Sequence, residues 1–342
     1  MKILYAIQTT GNGHLARAQS IIPRLREIAD IDIITSGPKN DFLLEEEPIY
    51  HYYGLTFFYT DNGAVNWFKT IFLNNYIRFI REIISCPINK YDLIINDFEP
   101  VSAWSAKFKK IKCFELTNQY SMGLKNIPKP NKYSRVVLHA IRHIIPSNLG
   151  YGYHYKKYTD RIFFPVIRNK VRNLQTTKSD EIIIYLPTYS AYKLINVLSK
   201  LPQKKKWTIF SPKAKSKKVI SDFNIEPLSE ELFLKKFASC YGIVCAGGFA
   251  TTSEAIFLGK PMLVVPVEAQ IEQQFNAAAL KREGVAVIDK FSFKNIDHIS
   301  KWIESPKIFE IKYKDESKEI VEKLINDYSD LNKKLWKKTL KN

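Results

Sequence analysis

Cysteine is scarce in this sequence, and long apolar runs are absent. The four cysteines form neither a CxxC pair nor a regular framework, which argues against structural zinc and against disulfides. The most apolar stretch, residues 71–84, is interrupted by two asparagines, two arginines and a glutamate, so it is too polar to span a bilayer as a simple helix. A first strand is predicted from residue 2, so no signal peptide is expected and the protein is predicted to be reduced and cytoplasmic.

Acidic residues are almost missing from one segment. Residues 100–159 contain 11 lysines and arginines but only Glu115 as an acid, within a chain of net charge +18. Such a basic segment could attract anionic lipid, nucleic acid or phosphorylated substrates. A general enrichment in lysine, accompanied here by abundant isoleucine and asparagine, is the alternative explanation. No nucleic-acid recognition motif accompanies the lysines, so we do not expect nucleic acid as a partner.

Short apolar strands alternate with amphipathic stretches of helical length, which predicts parallel βαβ units. The pattern loosens over residues 118–180, which contain several prolines and glycines and suggest a hinge near 165–180. We therefore predict two Rossmann-like α/β domains, 1–165 and 166–314, followed by a helix in 315–342 placed to pack back on the first domain. The strands are predicted at 2–8, 31–35, 92–96, 112–116, 181–186, 207–210, 242–245 and 262–265, and the helices at 14–28, 250–258 and 315–338.

A glycine turn follows the predicted strand 242–245. Gly247 and Gly248 lead directly into a helical run, and the free N–H groups and positive dipole at a helix start suit a diphosphate. A turn that merely allows tight packing of helix on strand is the alternative. The hydroxyls of the first turns, and an acid placed to reach ribose, would complete the site; these residues are Thr251, Thr252, Ser253 and Glu254.

A group of amides lies beyond the next strand. Pro266 ends the strand 262–265, so the following polar residues are expected at the carboxyl edge of a parallel sheet, where such sheets bind ligands. Amides offer both donors and acceptors to sugar hydroxyls. The candidates for binding the sugar of the donor are Glu268, Gln270, Gln273, Gln274 and Asn276.

The run from Ala246 to Glu254, then Gly259-Lys-Pro, Pro266 and Glu272-Gln-Gln-Phe-Asn-Ala, resembles the donor-binding signature of GT-B glycosyltransferases. The similarity is greatest to the MurG and UDP-glycosyltransferase branch. It implies that the glycine turn holds the diphosphate, that Glu254 contacts ribose and that the later amides bind the transferred sugar. The spacing from the glutamine pair to Asn276 differs from MurG by one residue.

The loop after the first strand contains Gly11, Asn12, Gly13 and His14 and leads into a helix. A histidine at that helix start can titrate near neutral pH and act as a general base, although a capping or packing role is the alternative. Asp97 ends the strand 92–96 and could orient the ring, or could instead cap the helix that begins near Val101. In the UDP-glycosyltransferases the corresponding histidine is the base and an aspartate supports it, so the resemblance implies His14 and Asp97 as catalytic residues.

These observations predict an α/β protein of GT-B fold with two Rossmann-like domains facing each other across a cleft. The predicted function is transfer of a sugar from a nucleoside-diphosphate donor, expected to be UDP-linked, to an acceptor hydroxyl. The resemblance implies inversion at the anomeric carbon, and because no cluster of carboxylates suits a divalent cation, the reaction is expected to need no metal. No cofactor is expected beyond the nucleotide sugar. A nucleotide-sugar hydrolase of the same fold is the alternative.

The acceptor is expected to be a lipid-linked or cell-envelope glycan. Residues 71–84 and the basic amphipathic stretch 133–145 predict a surface that rests on an anionic membrane, with the protein peripheral to its inner face. The resemblance to MurG-like enzymes points the same way.

Overall fold

The computed structural model describes residues 1–38, 46–56, 58, 60, 66–203, 205–268 and 270–339. Within them the chain forms two sheets of seven strands each. The strands of the first sheet are β1 (Lys2–Gln8), β2 (Asp30–Ser36), β3 (Tyr50–Tyr52), β4 (Leu93–Asp97), β5 (Lys112–Leu116), β6 (Leu149–Tyr153) and β7 (Ile162–Phe163). Those of the second are β8 (Glu181–Tyr185), β9 (Lys206–Phe210), β10 (Lys218–Ile220), β11 (Phe223–Glu226), β12 (Gly242–Cys245), β13 (Met262–Val264) and β14 (Ala286–Val287).

Both sheets are predominantly parallel. The first has the order β3-β2-β1-β4-β5-β6-β7, and the second has the order β10-β11-β9-β8-β12-β13-β14 with one antiparallel pair, β10 and β11. The connecting helices are α1 (Asn12–Arg26), α2 (Trp67–Phe72), α3 (Tyr76–Ser85), α4 (Pro100–Lys109), α5 (Asn118–Ser121), α6 (Arg135–His143), α7 (Asn169–Arg172), α8 (Ala191–Leu198), α9 (Glu230–Ser239), α10 (Phe249–Phe257), α11 (Ile271–Arg282), α12 (Ile296–Glu304) and α13 (Ser317–Thr339). The α/β architecture is as predicted, and each predicted strand is present within about two residues.

The central strands are apolar on both faces because helices cover both sides of each sheet. In β1, Tyr5 belongs to the core cluster shared with α1 and α13, whereas the next residue, Ala6, belongs to the cluster shared with α3 and α4. This alternation follows from the pleat of a strand. Because both faces are covered, consecutive apolar residues such as Leu93–Ile95 are all buried.

Strand β6 was not predicted, because its sequence, Leu-Gly-Tyr-Gly-Tyr, contains two glycines, which weaken the pattern of a strand. The structure gives the reason for both glycines. A Cβ at Gly150 would lie 2.1 Å from the ring of Tyr120, and one at Gly152 would lie 2.9 Å from Ile162 and 3.2 Å from the same ring. The glycines therefore admit the Tyr120 ring from α5 onto the sheet.

Helix α13 returns from the second sheet and packs against α1 of the first. The Tyr151 hydroxyl donates a hydrogen bond to Asp327 in α13 at 2.6 Å, and Phe114 meets Tyr328 edge to face. None of the described helices is both long enough and apolar enough to cross a bilayer.

Candidate active site

The loop between β1 and α1 positions His14 at the carboxyl end of the first sheet. Gly11 has φ 89°, a left-handed conformation that glycine adopts without strain, and α1 begins at the next residue. His14 lies in the first turn of α1 and is 8% exposed. The side chain of Asn12 lies outside the described atoms.

Asp97 ends β4, which is the direct neighbour of β1 in the sheet, with Ile7 opposite Asp97. The two polar residues therefore meet although 83 residues separate them. His14 Nδ1 lies 2.7 Å from Asp97 Oδ1, and the Asp97 side chain is fully buried. The histidine and aspartate that the sequence singled out are thus in direct contact.

Arg17 completes this cluster and was not predicted as part of the site. It lies one turn after His14 on α1, and its Nη2 is 2.8 Å from Asp97 Oδ1 and 3.0 Å from Oδ2. Its Nε donates to Oδ2 at 3.2 Å, and the same Nη2 lies 2.8 Å from His14 Nδ1. The available sequence signal was an arginine three residues after the histidine, because positions i and i+3 share a helix face.

Two groups contact Nδ1 of His14, an acceptor on Asp97 and a donor on Arg17, and together they indicate where the ring carries its proton. If Nδ1 lacked a hydrogen, its lone pair would face the Asp97 oxygen at 2.7 Å, which is repulsive beside a buried carboxylate. Arg17 Nη2, 2.8 Å from the same nitrogen, could donate to an unprotonated Nδ1, but its N–H groups already have both Asp97 oxygens as acceptors, at 2.8 and 3.0 Å. We therefore assign the hydrogen to Nδ1, which donates it to Asp97. Nε2 is then left as a proton acceptor, which is the form that a general base requires.

Asp97 is held ionised and in place. Burial alone would raise the pKa of its carboxyl, but Arg17 and His14 outweigh burial and lower it below its ordinary value. The alternative role of Asp97 as a helix cap does not apply, because Glu99 caps α4 by accepting hydrogen bonds from the N–H groups of Val101 and Ser102. Between Asp97 and Glu99, Phe98 has φ 61° and stacks its ring parallel to His14 at 6.2 Å.

At the carboxyl end of the second sheet, the turn at Gly247 and Gly248 leads from β12 into α10. Gly248 occupies the cap position, no side chain caps the helix start, and the first turn contains no acid. The helix N-terminus therefore keeps backbone N–H groups and a positive dipole end for an anion.

Two of the predicted sugar-binding amides hold this turn. Gln273 Oε1 accepts hydrogen bonds from the N–H groups of Gly247 at 3.1 Å and Val267 at 3.0 Å. Asn276 Nδ2 donates to the Gly247 carbonyl at 2.9 Å. In this structure both side chains therefore fix the backbone of the turn.

The other predicted sugar ligands remain accessible. Glu268 is exposed, and Gln270 and Gln274 are partly exposed at the start of α11. Within the described part of the chain the side chains of these three residues make no hydrogen bond. They are the candidates that could turn toward a ligand.

The polar residues of α10 divide by burial. Thr251 is partly exposed, whereas Thr252 is fully buried and its hydroxyl bonds the Gly248 carbonyl at 2.8 Å and the Tyr155 hydroxyl at 2.7 Å. Ser253 Oγ is buried with no hydrogen-bond partner among the described atoms. Thr251 is thus the hydroxyl that the surface of the turn offers.

Glu254 is engaged by a residue that sequence reasoning missed. Arg168, in the connection between the two sheets, binds its carboxylate through Nε at 2.6 Å and Nη2 at 3.0 Å. Glu254 is also almost fully buried. Any contact of Glu254 with a ribose would therefore share this carboxylate with Arg168.

A hydrogen-bonded contact joins the two carboxyl edges. Asn118 and Gln119, at the start of α5 after β5, donate to the two carboxylate oxygens of Glu272 on α11, each at 2.8 Å. Beside them Tyr133 meets Phe275 edge to face at 5.1 Å. Glu272 was not assigned a role from the sequence, although it lies within the amide-rich run. The contact shows that the loops after β5 and β13 face each other.

Two mainly parallel sheets with facing carboxyl edges, a buried histidine cluster on one and an open helix N-terminus on the other, define a GT-B glycosyltransferase. The chain belongs to glycosyl transferase family 1, whose family model matches residues 1–304. The predicted fold and the predicted class of enzyme are thereby confirmed.

Solved structures with the same fold come from several sources. The chain is similar to UGT89C1 of Arabidopsis thaliana complexed with UDP, with TM-score 0.61, 12% identity and coverage of 96% of this chain and 99% of that one. It is also similar to MurG of Acinetobacter baumannii, with TM-score 0.57, 12% identity and coverage of 96% and 99%. The glycosyltransferase SnogD of Streptomyces nogalater gives TM-score 0.54, 13% identity and coverage of 95% and 99%. No curated protein matches the sequence significantly.

Proposed function

We propose that the protein transfers a sugar from a UDP-linked donor to an acceptor hydroxyl, with inversion at the anomeric carbon and without a metal ion. The observation that carries this proposal is the uncapped N-terminus of α10, whose turn is fixed by Gln273 and Asn276. Pre-positioned N–H groups stabilise the negative charge of a departing diphosphate without reorganisation. The choice of UDP is supported by the similar fold of UGT89C1, which was solved with UDP.

In the proposed reaction, His14 Nε2 accepts the proton of the acceptor hydroxyl. The oxygen then forms a bond to the anomeric carbon on the face opposite the diphosphate. The bond from that carbon to the diphosphate oxygen breaks, and its electron pair leaves with the diphosphate. Glu268, Gln270 and Gln274 are the proposed contacts to the transferred sugar, and Thr251 is the proposed hydroxyl contact to the diphosphate.

The donor is tested by thermal unfolding with a panel of nucleotides and nucleotide sugars. UDP and one UDP-sugar, supplied at about 100 times their Kd, are expected to raise the Tm by roughly 5 °C. Uridine is the control, because it lacks the diphosphate. If no nucleoside diphosphate or nucleotide sugar stabilises the protein, the donor site is not at α10.

A second assay then distinguishes a transferase from a hydrolase. Release of UDP is measured from the stabilising donor with and without extracts that contain glycan and glycolipid acceptors. A transferase is expected to require the extract. Equal release without it, accompanied by free sugar, would identify a nucleotide-sugar hydrolase.

We further propose a lipid-linked acceptor that the protein reaches from the inner face of an anionic membrane. Helix α3 supports this, because Ile77, Ile80 and Ile84 form an exposed apolar row, 68%, 55% and 69% exposed. Cations lie beside the row: Arg81 is exposed on α3, and Lys109 on the adjacent α4 donates from Nζ to the Ile84 carbonyl at 3.0 Å. Apolar side chains beside cations are typical of helices that lie in a membrane interface.

Helix α6 has a different part in this surface. Its residues Val137, Leu138 and Ile141 pack in a cluster with Met122 and Phe275, so they face α11. Val136 is its one large apolar side chain that is more than half exposed among those described. In the proposed membrane surface α6 therefore contributes mainly charge, and α3 contributes the apolar contact.

Sedimentation with phosphatidylglycerol vesicles at low salt tests the membrane surface. The triple variant Ile77→Ser, Ile80→Ser and Ile84→Ser is expected to bind at least about tenfold more weakly than the wild type, because it removes most of the apolar area of the row. Neutral phosphatidylcholine vesicles are expected to bind the wild type poorly.

The matched control replaces three similarly exposed large apolar residues of the second domain, Tyr192, Val219 and Ile308, with serine. It is expected to bind vesicles like the wild type. Equal loss in both variants, or no vesicle binding by the wild type, contradicts the proposal.

A further inference from the structure

Arg17 is almost fully buried beside His14, and Asp97 engages two of its three guanidinium nitrogens. Its side chain is 6% exposed, and its Nε and Nη2 both bind the Asp97 carboxylate. Its guanidinium lies 5.4 Å from the centre of the Tyr153 ring, which covers it from β6. Burial alone would lower the pKa of Arg17, but Asp97 raises it above its ordinary value, so the guanidinium stays charged.

The cluster contains one acid and one permanent cation. The other titratable groups that pack around it are neutral at neutral pH. Burial raises the pKa of the Tyr5 hydroxyl on β1 and of the Tyr153 hydroxyl on β6 far above their ordinary values. Burial and the charge of Asp97 raise the pKa of Glu115 on β5 to about 8. Within the described residues, Asp97 and Arg17 are therefore the charged side chains of this cluster that contact His14.

A buried site favours the protonation state in which its charges cancel. With histidine and aspartate alone, that state is imidazolium beside carboxylate, and an imidazolium cannot accept a proton. With Arg17 present, Asp97 is already neutralised, so the balanced state has an uncharged imidazole. The arginine thereby changes which form of His14 is favoured in the resting enzyme.

We propose that Arg17 is a positioning residue that keeps His14 uncharged, with its proton on Nδ1 and Nε2 free, until the acceptor hydroxyl is bound. This inference rests on the proposed role of His14 as the base. It assigns Arg17 a function in the reaction beyond holding Asp97. When His14 then takes the acceptor proton, the cluster gains one positive charge while negative charge develops on the diphosphate.

The proposal is tested by nuclear magnetic resonance of protein labelled with ¹⁵N-histidine, which needs neither donor nor acceptor. The His14 signals are assigned by their absence in His14→Gln. In the wild type near neutral pH we expect a neutral ring with Nδ1 protonated and Nε2 unprotonated. A proton on Nε2 in the wild type overturns the proposal without any substitution at Arg17.

Arg17→Met removes the cation and keeps most of the side-chain volume. The ring of His14 is then expected to take up its second proton at a higher pH than in the wild type, because the neighbouring cation that disfavours an imidazolium is gone. Arg17→Lys retains the charge and is expected to stay close to the wild type. If Arg17→Met and the wild type titrate together, the proposal is wrong.

Arg17→Met leaves a buried carboxylate with only His14 as partner, so a second comparison is needed should it not fold. The single variant Asp97→Asn is compared with a double variant that carries both Asp97→Asn and Arg17→Met. The two proteins differ only in the presence of the cation at position 17. His14 is expected to be protonated at a lower pH in the single variant. Identical titrations in the two overturn the proposal.

Kinetics supply a readout that a purely structural role would not alter. The turnover that Arg17→Met loses at neutral pH is expected to return in part at higher pH, where His14 is again neutral. A loss that is independent of pH contradicts the proposal. Because the resonance experiment uses no ligand, its failure is distinct from a failure to bind UDP in the thermal assay.

Discussion

His14→Gln is expected to lower the rate of sugar transfer by about 10²–10⁴-fold while leaving donor binding unchanged. The amide is similar in length to the imidazole and can still donate to Asp97, but it cannot accept a proton near neutral pH. Donor affinity is expected to persist because the diphosphate is assigned to α10 on the other sheet. The measurement is acceptor-dependent release of UDP, with the UDP-induced rise in Tm as the binding readout.

His298→Gln is the matched control for this substitution. His298 lies exposed on α12 and makes no contact with the cluster, so its replacement is expected to leave both turnover and donor binding at the wild-type level. A His14→Gln enzyme that retains wild-type turnover would show that His14 is not the base. Loss of UDP binding together with turnover would place His14 in the donor site instead.

The parts of this site that sequence alone predicts are those with local signals. A strand, a pair of glycines and a helix are consecutive in the chain, so the turn at Gly247 and Gly248 and the loop before His14 could both be located. The contact between His14 and Asp97 followed from one further rule, because the ends of β1 and β4 meet only if these strands are neighbours in the sheet.

The remaining contacts depend on side-chain direction and on pairs that are distant in sequence. Glu254 was recognised as an acid near the donor, but its partner Arg168 is 86 residues away. Asn118 and Glu272 are 154 residues apart and meet only once the two sheets face each other. No periodicity of a strand or a helix encodes such pairs, so charge and hydrogen-bond partners had to come from the structure.

Gln273 and Asn276 lie in the amide-rich run that the sequence revealed, but the sequence did not reveal their hydrogen-bond partners. Their amides were expected to bind sugar because they follow a strand at the ligand-binding edge of the sheet. In the structure both side chains contact Gly247, whose N–H and carbonyl they satisfy, and their contact with a sugar stays a prediction. A buried backbone group left unpaired costs roughly 1–3 kcal/mol, which is a sufficient reason for these amides to be there.

The two glycines of the donor turn are expected to respond differently to alanine. A Cβ at Gly247 would lie 2.7 Å from the backbone oxygen of Gln273, which cannot move without shifting the start of α11. A Cβ at Gly248 meets nothing within 4 Å, and φ −66° and ψ 131° are allowed for any residue. Gly247→Ala is therefore expected to lower the free energy of unfolding by about 1–3 kcal/mol and to weaken UDP binding by at least about tenfold.

Gly248→Ala is the matched control for the fold. It is expected to leave the Tm without ligand unchanged, while its new methyl group projects into the space proposed for the diphosphate and weakens UDP binding. Denaturant unfolding and UDP titration of both variants separate the two effects, because one glycine is needed for packing and the other for ligand access. If Gly248→Ala binds UDP as tightly as the wild type, the diphosphate does not lie against this turn, whatever the result for Gly247→Ala.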